Sequence, residues 1–461
     1  MRGLDASHPI QRLLFDSSFL LQHLRFMRLF PTILLLLGAT HACTTKDRAR
    51  NDSADGAIGD SSRVAVVRPT SDTTPHGTSG RRDTTTTVRA LYVNRFAVQS
   101  PKRMRQLLTI ADETEINGFV LDIKDEFGLN YVSKDTLVRR NAGRAGTIPH
   151  LKELLDTLRA HGIVSIARLV TFKDSVAARV NPAHTIRKAD GSAWRDKQGL
   201  TWVDPFDQSI WEYNIRVAEE MARLGFDEIQ FDYIRFPEPY RSLPEQHFPD
   251  SRGRTKAQVL QDFLRVACKR INAAGARCTA DIFGLVTTVR GPLEIGQEWE
   301  KISPVVEVVL PMTYPSHYPR GSFGLPKPNA DPERVLQAAN AKAHDRDIAL
   351  KIAHPEHVRP WLQAFTLGSP AYGPEQLMAQ KRGVYAAGYD GWVLWNPGTK
   401  YELFLPGLER TLVSRKQPYP RAAGPSAPVV TDSMPQNAAD STVRAVKTVA
   451  PRADTGATVK P

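Results

Sequence analysis

The regular alternation of short apolar runs with helical segments between Val88 and Leu412 limits the folds that this chain can adopt. The runs are rich in β-branched and aromatic residues, as strands are, and the segments between them have helical periodicity. Several helices end on a glycine directly before the next strand, as at Gly225 and Gly388, which is typical of α/β folds. Eight strands that alternate with helices predict a parallel sheet closed as a (β/α)8 TIM barrel. An open, doubly wound sheet is the alternative, although no glycine-rich phosphate loop follows the first strand.

The individual strands and helices can be placed from this pattern. The strands are predicted at 91–96, 119–124, 164–171, 228–236, 277–283, 305–313, 358–363 and 391–395. The helices are predicted at 101–116, 148–161, 208–224, 256–273, 332–342 and 374–387. The seventh strand is ambiguous, because residues 348–353 compete with 358–363 for its place.

Two segments outside the barrel have compositions that disfavour folding. Residues 44–87 and 413–461 are rich in small, polar and charged residues and contain few large apolar ones. Such segments cannot bury enough apolar surface to offset the entropy of the chain. We therefore predict a disordered tether at 44–87, one folded domain at 88–412 and a disordered tail at 413–461.

Residues 1–43 are predicted to be a leader for export. Arg28 is followed by an apolar run that is too short to span a bilayer, and then by small residues up to Ala42. Cys43 stands where bacterial lipoproteins carry the cysteine that is lipidated. We expect an exported lipoprotein of the bacterial cell envelope, periplasmic or on the outer surface, that contacts the membrane through a lipid on Cys43. Met27 is an alternative start of the leader, and an uncleaved membrane anchor is the alternative to a cleaved leader.

Cys268 and Cys278 are the two remaining cysteines. An oxidising compartment would allow them to pair. One falls on a predicted helix and the other on the next strand, and those axes lie about 10 Å apart, whereas a disulfide needs Cα atoms roughly 4.4–6.8 Å apart. We therefore expect two buried thiols.

The formal net charge of +12 does not identify a partner. The Lys and Arg residues are scattered, and no basic helix with interleaved aromatic residues stands out, so we do not expect the chain to bind nucleic acid. No cluster of His and Cys has the spacing of a metal-ligand set, and His317, His354 and His357 fall in predicted loops. No metal and no cofactor are expected.

Three predicted strands each carry a carboxylate near the end that would form the barrel mouth. Successive side chains of a strand alternate between the barrel interior and the helix layer. In the fourth strand, Ile229, Phe231 and Tyr233 are assigned to the helix-facing side. In the third strand either phase can be the inner one, so Arg168 faces inward in only one of them. The polar side chains predicted to face inward are Asp122, Lys124, Gln230, Asp232, Thr279 and Asp281.

These inward-facing carboxylates indicate an active site. A purely structural barrel fills its interior with Val, Ile and Leu, and barrel enzymes place their catalytic groups at the C-terminal ends of the strands. Buried charges cost several kcal/mol each unless they are paired. The alternative is therefore an internal lattice of salt bridges, with Lys124 and Arg168 as the cations, that only stabilises the barrel.

Aromatic side chains gather in the loops at the same strand ends. Flat apolar rings beside polar groups suit sugars, which present C–H faces and hydroxyl edges. This pattern favours a polysaccharide or glycan as the substrate. The residues concerned are Trp194, Trp202, Tyr233, Tyr240, Tyr314, His317, Tyr318, Trp361 and Trp395.

Six motifs, in order along the barrel, resemble those of a bacterial family of glycoside hydrolases that was first defined as a domain of unknown function. The most characteristic is FDEIQFDYIRFP at 226–237, and the others lie at 120–125, 280–284, 310–318, 359–365 and 391–397. The resemblance covers nearly the whole barrel. It implies a TIM barrel of the glycosidase superfamily that hydrolyses O-glycosyl bonds, and it does not specify the glycan.

Glycosidic bond hydrolysis requires one carboxylic acid to protonate the leaving oxygen and one carboxylate to attack the sugar or activate water. Asp232 and Asp281 fall on adjacent strands about 4.8 Å apart, which suits the roughly 5–5.5 Å carboxyl separation of retaining enzymes. We predict Asp232 as the nucleophile and Asp281 as the acid/base. Asp122 is the third candidate. As a partner two strands away it would fit the separation of roughly 6.5–9.5 Å found in inverting enzymes.

The remaining residues of the predicted site bind or orient the substrate. Lys124 and Arg235 are expected to orient the carboxylates or to bind an anionic substituent of the sugar. The predicted substrate-binding residues are Lys124, Arg168, Trp202, Tyr233, Arg235, Tyr314, His317, Trp361, Gln363, Trp395 and Asn396.

Two other functions compete with glycoside hydrolysis. A non-catalytic lipoprotein that binds glycan or peptidoglycan on the same barrel would keep Trp202, Trp361 and Trp395 but would not need two facing carboxylates. Acyl hydrolysis or deacetylation is disfavoured, because the sequence lacks a nucleophile-elbow serine motif and a metal triad.

Overall fold

Residues 87–352 and 357–419 are described by the structure, which is a computed structural model, and their strands form a closed barrel. The strands are β1 (Arg89–Val93), β2 (Gly118–Asp125), β3 (Gly128–Leu129), β4 (Val164–Val170), β5 (Glu228–Asp232), β6 (Arg277–Phe283), β7 (Val308–Met312), β8 (Trp361–Gln363) and β9 (Trp392–Trp395). They follow the order β1-β9-β8-β7-β6-β5-β4-β2-β3, and β1 also pairs with β2. All pairings are parallel except that of the short β3 with β2. The predicted TIM barrel is confirmed, and the open sheet is excluded.

Helices surround the barrel and connect its strands. They are α1 (Arg95–Val98), α2 (Pro101–Glu113), α3 (Thr136–Arg139), α4 (Leu151–Ala160), α5 (Ser175–Val180), α6 (Gln208–Leu224), α7 (Lys256–Ala273), α8 (Trp299–Ile302), α9 (Pro332–Ala349) and α10 (Pro374–Ala386). The Ser100 side chain caps α2 by accepting a hydrogen bond from the Arg103 amide. Gly225 ends α6 in the left-handed conformation, with a φ of 109°, and turns the chain into β5.

The barrel interior is apolar in its middle layer. The buried side chains of this inner cluster include Ala90, Val120, Ile166, Val308, Leu310 and Val393. A second and larger apolar core lies between the strands and the helices. Ionisable side chains are buried at both ends of the interior, and those at the C-terminal ends of the strands form the candidate site.

The predicted strand at 228–236 is shorter than expected. β5 ends at Asp232, because Tyr233 has a left-handed backbone with a φ of 52°. A left-handed residue interrupts the alternation of side chains, so the period of β5 does not extend to Tyr233. The Tyr233 ring lies in the loop after β5 and packs against the core between the strands and the helices, 5.7 Å from the ring of Trp202.

The ambiguity about the seventh predicted strand is resolved. β8 lies within 358–363, and Val358 adds an isolated parallel bridge to Val309. The competing segment is not a strand at Ile348, because α9 continues to Ala349, past its predicted end at Lys342.

Cys268 and Cys278 form a disulfide, so the expectation of two thiols is wrong. Their Cα atoms are 5.1 Å apart, within the range that a disulfide spans. The expectation used the spacing between the helix and strand layers. Both cysteines lie near the turn at Gly275, where the end of α7 meets the start of β6 and the layers converge. Because Cys278 faces the helix layer, its side chain reaches that of Cys268.

The folded domain continues past the predicted boundary at Leu412. The Val413 carbonyl accepts a hydrogen bond from Arg89, and Ser414 and Arg415 bond to the Asp390 carboxylate. The Gln417 amide donates to the Tyr385 carbonyl. The start of the predicted tail therefore packs on the barrel.

Several predictions concern residues outside the described ranges. These are the leader with Cys43, the tether at 44–86, His354 and the tail from residue 420 onward, and the predictions made for them stay predictions. Within 87–352 and 357–419, no helix has both the length and the apolar composition needed to cross a membrane.

Candidate active site

Arg168 joins two of the predicted carboxylates at the barrel mouth. The strand register pairs Arg168 of β4 with Asp122 of β2 on one side and with Gln230 of β5 on the other. Its Nη1 donates to Asp122 at 2.6 Å, and its Nε and Nη2 donate to one oxygen of Asp232 at 3.0 and 2.5 Å. The inner phase of β4 is therefore the one that carries Arg168.

Asp281 lies beside this cluster and is held by neutral donors. The register pairs Phe231 with Ala280, which places Asp232 and Asp281 at the same level on adjacent strands. Gln230 Nε2 lies 2.8 Å from both Asp281 oxygens, and Trp361 Nε1 donates to one of them at 2.6 Å. No cation of the described residues forms an ion pair with Asp281.

The carboxylates consequently differ in their affinity for protons. Burial raises the pKa of Asp281 well above its ordinary value, and the negative charge of Asp232 raises it further. Burial also raises the pKa of Asp122, although Arg168 and the Tyr92 hydroxyl oppose this. The protonated form of Asp281 is therefore favoured, next to a carboxylate that pairs with arginine.

Tyr92 belongs to this cluster, and sequence reasoning missed it. Its hydroxyl donates to Asp122 at 2.6 Å from the end of β1. The alternation of side chains on the first strand could have found it, because Tyr92 shares the inner face with Ala90. Gln230, predicted to face inward, bonds to Asp281 and is a further member.

Aromatic rings form the opposite part of the mouth, at β7, β8, β9 and β1. The rings of Tyr314 and Trp395 stack with centroids 5.6 Å apart at 29°. Phe365 and Tyr92 contact Trp395 at 5.2 and 6.1 Å, and His317 lies 5.3 Å from Tyr314. The mouth thus has a charged side and an apolar side, an arrangement that can hold a sugar between hydrogen-bonding groups and ring faces.

Arg235 and Trp202 form a separate cluster in the loops after β4 and β5. The Arg235 guanidinium lies 5.0, 4.8 and 4.7 Å from the ring centres of Trp202, Tyr233 and Phe283. Its ion-pair partner is Glu238 at 3.2 Å, not one of the mouth aspartates. Lys173, which was not predicted, lies 5.1 Å from the Tyr233 ring centre.

Lys124 is directed away from the three aspartates. The register between β2 and β4 shifts between Asp122 and Lys124, which changes the face to which Lys124 points. Its ammonium pairs with Asp174 at 2.9 Å and lies 5.3 Å from the Tyr213 ring centre. The orienting cation of the aspartate cluster is therefore Arg168 and not Lys124.

Gln363 and Asn396 use their side chains to hold loops. Gln363 accepts from the Ser316 amide at 3.1 Å and donates to the Phe365 carbonyl at 3.0 Å. Asn396 donates to the Ala364 carbonyl at 2.6 Å and accepts from two backbone amides. Both residues shape the mouth through the backbone. In the described part of the chain, no group of three or more His, Cys, Asp or Glu side chains has the arrangement of a metal site.

Comparison with known proteins gives one family match. The model of the family described as "Putative glycosyl hydrolase domain" matches residues 90–401. A search of curated proteins finds no match.

Three solved structures illustrate the similarity. A hypothetical protein from Ruminiclostridium thermocellum ATCC 27405 is 35% identical, over 41% of this chain and 96% of that chain, with a TM-score of 0.38. The PgaB (BpsB) glycoside hydrolase domain from Bordetella bronchiseptica is 15% identical, over 70% of this chain and 99% of that chain, with a TM-score of 0.49. The beta-N-acetylhexosaminidase from Bacteroides fragilis NCTC 9343 is 12% identical, over 68% and 61%, with a TM-score of 0.43.

Proposed function

Because the chain belongs to the glycosyl hydrolase family whose model matches residues 90–401, we propose that it cleaves an extracytoplasmic polysaccharide with the carboxylates at its barrel mouth. The observation that carries this proposal is the unequal setting of two neighbouring aspartates. Asp232 pairs with Arg168, whereas Asp281 is buried among neutral donors and its pKa is raised well above the ordinary value. One ionised and one protonated carboxyl group are what glycoside hydrolysis requires.

In the proposed reaction, Asp232 attacks the anomeric carbon and Asp281 donates its proton to the leaving oxygen. The glycosidic C–O bond breaks as the new bond to Asp232 forms. Ionised Asp281 then takes a proton from water, which attacks the anomeric carbon and releases Asp232. The equal level of the two residues on adjacent strands supports this retaining assignment.

Asp122 offers an inverting alternative. Arg168 spans the gap between Asp122 and Asp232, so these two carboxylates lie on either side of one guanidinium. A water activated by one of them would attack the sugar directly and invert the anomeric centre. NMR of the first product formed distinguishes the two mechanisms, because retention requires the same anomeric configuration as the substrate.

The non-catalytic binding alternative receives less support. It relied on Trp202, Trp361 and Trp395 and did not need two facing carboxylates, whereas Asp232 and Asp281 stand at the same level on adjacent strands. The indole N–H groups of Trp202 and Trp361 donate to Asp196 and Asp281, so both side chains hold carboxylates in place. Only Trp395 is half-buried and keeps a surface for a ligand.

We propose that the protein is exported and anchored through a lipid on Cys43, on the sequence pattern alone. Labelled fatty acid should enter the wild-type protein and not Cys43→Ser. Equal labelling of the two proteins would contradict the proposal.

The test of the catalytic proposal is a screen of the purified full-length chain against glycol chitin, xylan, hydroxyethylcellulose and peptidoglycan sacculi. Wild-type protein should release new reducing ends from at least one of them, and Asp281→Asn should release none above background. Asp190→Asn is the matched control, since it makes the same chemical change on a side chain that is 67% exposed. Equal activity in Asp281→Asn and Asp190→Asn would refute the role of Asp281.

A further inference from the structure

Two aromatic rings at the rim of the mouth are unusual in their exposure. Among the Phe, Tyr and Trp side chains of 87–352 and 357–419, only Phe96 and Phe127 are exposed, at 71% and 49%. Phe96 lies in α1, directly after the C-terminal end of β1. Phe127 lies in the turn between β2 and β3, after the C-terminal end of the neighbouring barrel strand. Both rings are therefore on the same side of the mouth.

The two loops that carry these rings are joined by one buried arginine. Arg95, next to Phe96, donates to Asp125 at 2.8 Å and to the carbonyls of Gly128 and Leu129 at 2.6 and 3.2 Å. Asp125 in turn accepts a hydrogen bond from the Phe127 amide at 2.9 Å. The backbones at both rings are thus fixed relative to each other, while the rings themselves face solvent.

The loop that carries Phe96 also connects to the aromatic side of the candidate site. The side-chain amide of Asn94 donates to the Pro397 carbonyl at 2.9 Å, and the backbone N–H of Asn94 donates to the Thr399 hydroxyl at 3.0 Å. These contacts lie in the segment after β9, which ends at Trp395. The loop of Phe96 is therefore linked by hydrogen bonds to the loop after β9 on one side and to the hairpin of Phe127 on the other.

We propose that Phe96 and Phe127 form a stacking platform for sugar rings of a polysaccharide chain, outside the site of cleavage. Apolar rings exposed to water gain by covering their faces, and pyranose rings offer C–H faces of matching size. The proposal takes the ligand to be a glycan from the proposed function. It adds that the substrate is a chain long enough to leave the mouth across β1 and β2.

Affinity electrophoresis in native gels that contain glycol chitin, xylan or hydroxyethylcellulose tests this platform. The parent and each variant are full-length chains that carry Cys43→Ser, so that an acyl group does not contribute to binding. The double variant Phe96→Ala/Phe127→Ala should bind the retarding polymer roughly tenfold more weakly than the parent, since two ring contacts are lost. Ile348→Ala is the control. It removes an apolar side chain that is 57% exposed near the end of α9, where the chain returns to the N-terminal ends of the strands opposite the mouth, and it should be retarded like the parent.

Three results would overturn the platform. These are equal retardation of the double variant and the parent, equal losses in the double variant and Ile348→Ala, and retardation of the parent by none of the polymers. If the double variant lost the parent's binding to phosphatidylglycerol vesicles but was retarded by polymer like the parent, the rings would be assigned to a membrane and the platform would also be overturned.

The platform and the proposed hydrolysis can fail separately. A polymer that is bound through the rings but not cleaved refutes the proposed hydrolysis and leaves the platform standing. A polymer that is cleaved without any effect of the rings refutes the platform alone.

Discussion

The two ends of the barrel interior both bury ionisable side chains, but their charges are balanced in opposite ways. At the N-terminal ends of the strands, Glu228 accepts hydrogen bonds from Arg359 at 2.7 and 3.1 Å and from Arg277 at 3.1 Å. At the mouth, Arg168 pairs with both Asp122 and Asp232, and Asp281 forms no ion pair with a cation of the described residues. Glu228 therefore has two cationic partners, whereas Asp122 and Asp232 share one.

The pKa values follow this difference. Burial alone would raise the pKa of Glu228, but Arg359 and Arg277 outweigh it and hold the pKa below its ordinary value. At Asp281, burial and the charge of Asp232 act in the same direction and raise the pKa. The N-terminal end of the barrel interior around Glu228, called the closed end from here on, has the electrostatics of a structural ion cluster. The mouth keeps a carboxyl group, that of Asp281, whose raised pKa favours the protonated form, and groups with shifted pKa values are frequent at functional sites.

The largest effect should come from neutralising the mouth aspartates. Asp232→Asn and Asp281→Asn should each lower kcat by roughly 10²–10⁴-fold or more, because each removes a nucleophile or an acid/base group. The melting temperature of Asp281→Asn should hold or rise, since a group that is costly to ionise is replaced by a neutral one. Asp232→Asn leaves Arg168 paired with Asp122, so it should not unfold the protein.

Kinetics and thermal unfolding must be measured on the same preparations of both variants. If the mouth were only a lattice of salt bridges, each variant would lose stability and keep its turnover. That outcome would make the two ends of the barrel equivalent and would end the functional interpretation of the mouth.

The next largest effect is expected at the closed end. Glu228→Gln removes a buried carboxylate that Arg359 and Arg277 both contact, so it should lower the free energy of unfolding by roughly 3–5 kcal/mol. Glu212→Gln is the control, because its partner Arg270 is about one-third exposed, and it should cost at most about 1 kcal/mol. Urea titrations of the three proteins give the comparison. A loss in Glu228→Gln no larger than that of the control would remove the structural role of the closed end.

Much of this arrangement could be predicted because it depends on periodic patterns. The alternation of strands and helices predicted the barrel, and the two-residue period of the strands predicted that Asp122, Asp232 and Asp281 face inward. The element order and the inward-facing positions both follow from the regular geometry of helices and strands, so the spacing of polar and apolar residues along the sequence is enough to predict them. The same period on β1 contained the evidence for Tyr92.

The remaining features depend on local departures from that period. The two faces of β4 are similar in polarity, so the sequence could not decide whether Arg168 faces inward. The register shift on β2 redirects Lys124, and the left-handed Tyr233 ends β5 early. Such irregularities are set by packing between elements and not by the sequence of one strand. The disulfide was missed because two layers were treated as parallel where they meet at a turn.

A smaller effect is expected for removal of the disulfide, which should lower stability without changing turnover at the mouth. Cys278 lies near the N-terminal end of β6, and the bond to Cys268 closes a loop with a sequence separation of 10. Replacing both cysteines by Ala should lower the free energy of unfolding by about 2–3 kcal/mol, mainly by freeing the unfolded chain. Turnover of the folded protein should be unchanged, because Cys278 faces the helix layer whereas Asp281, three residues further along β6, faces the barrel interior. A large loss of kcat at a temperature where the variant is folded would show that the two ends are coupled.

The smallest effect is a change of stability with pH that has opposite signs at the two ends. The folded-state pKa of Asp281 lies above the ordinary 3.8, so wild-type stability falls as pH rises from that value through the folded pKa, and the neutral amide of the Asp281→Asn variant escapes this loss. The melting temperature of Asp281→Asn relative to wild type should therefore decline on acidification. Glu228 has a folded-state pKa below 4.5, so its stabilisation is present above that value and is lost as pH falls.

The deficit of Glu228→Gln should accordingly shrink on acidification, while the advantage of Asp281→Asn also shrinks, so that both variants approach wild type from opposite sides. Circular dichroism melts of the three proteins between about pH 8 and about pH 3 would measure the two differences. An advantage of Asp281→Asn that stays constant over this range would mean that Asp281 titrates like an exposed aspartate. In that case the mouth would hold no available proton on Asp281, and Asp122, whose pKa is also raised by burial, would become the leading candidate for the acid.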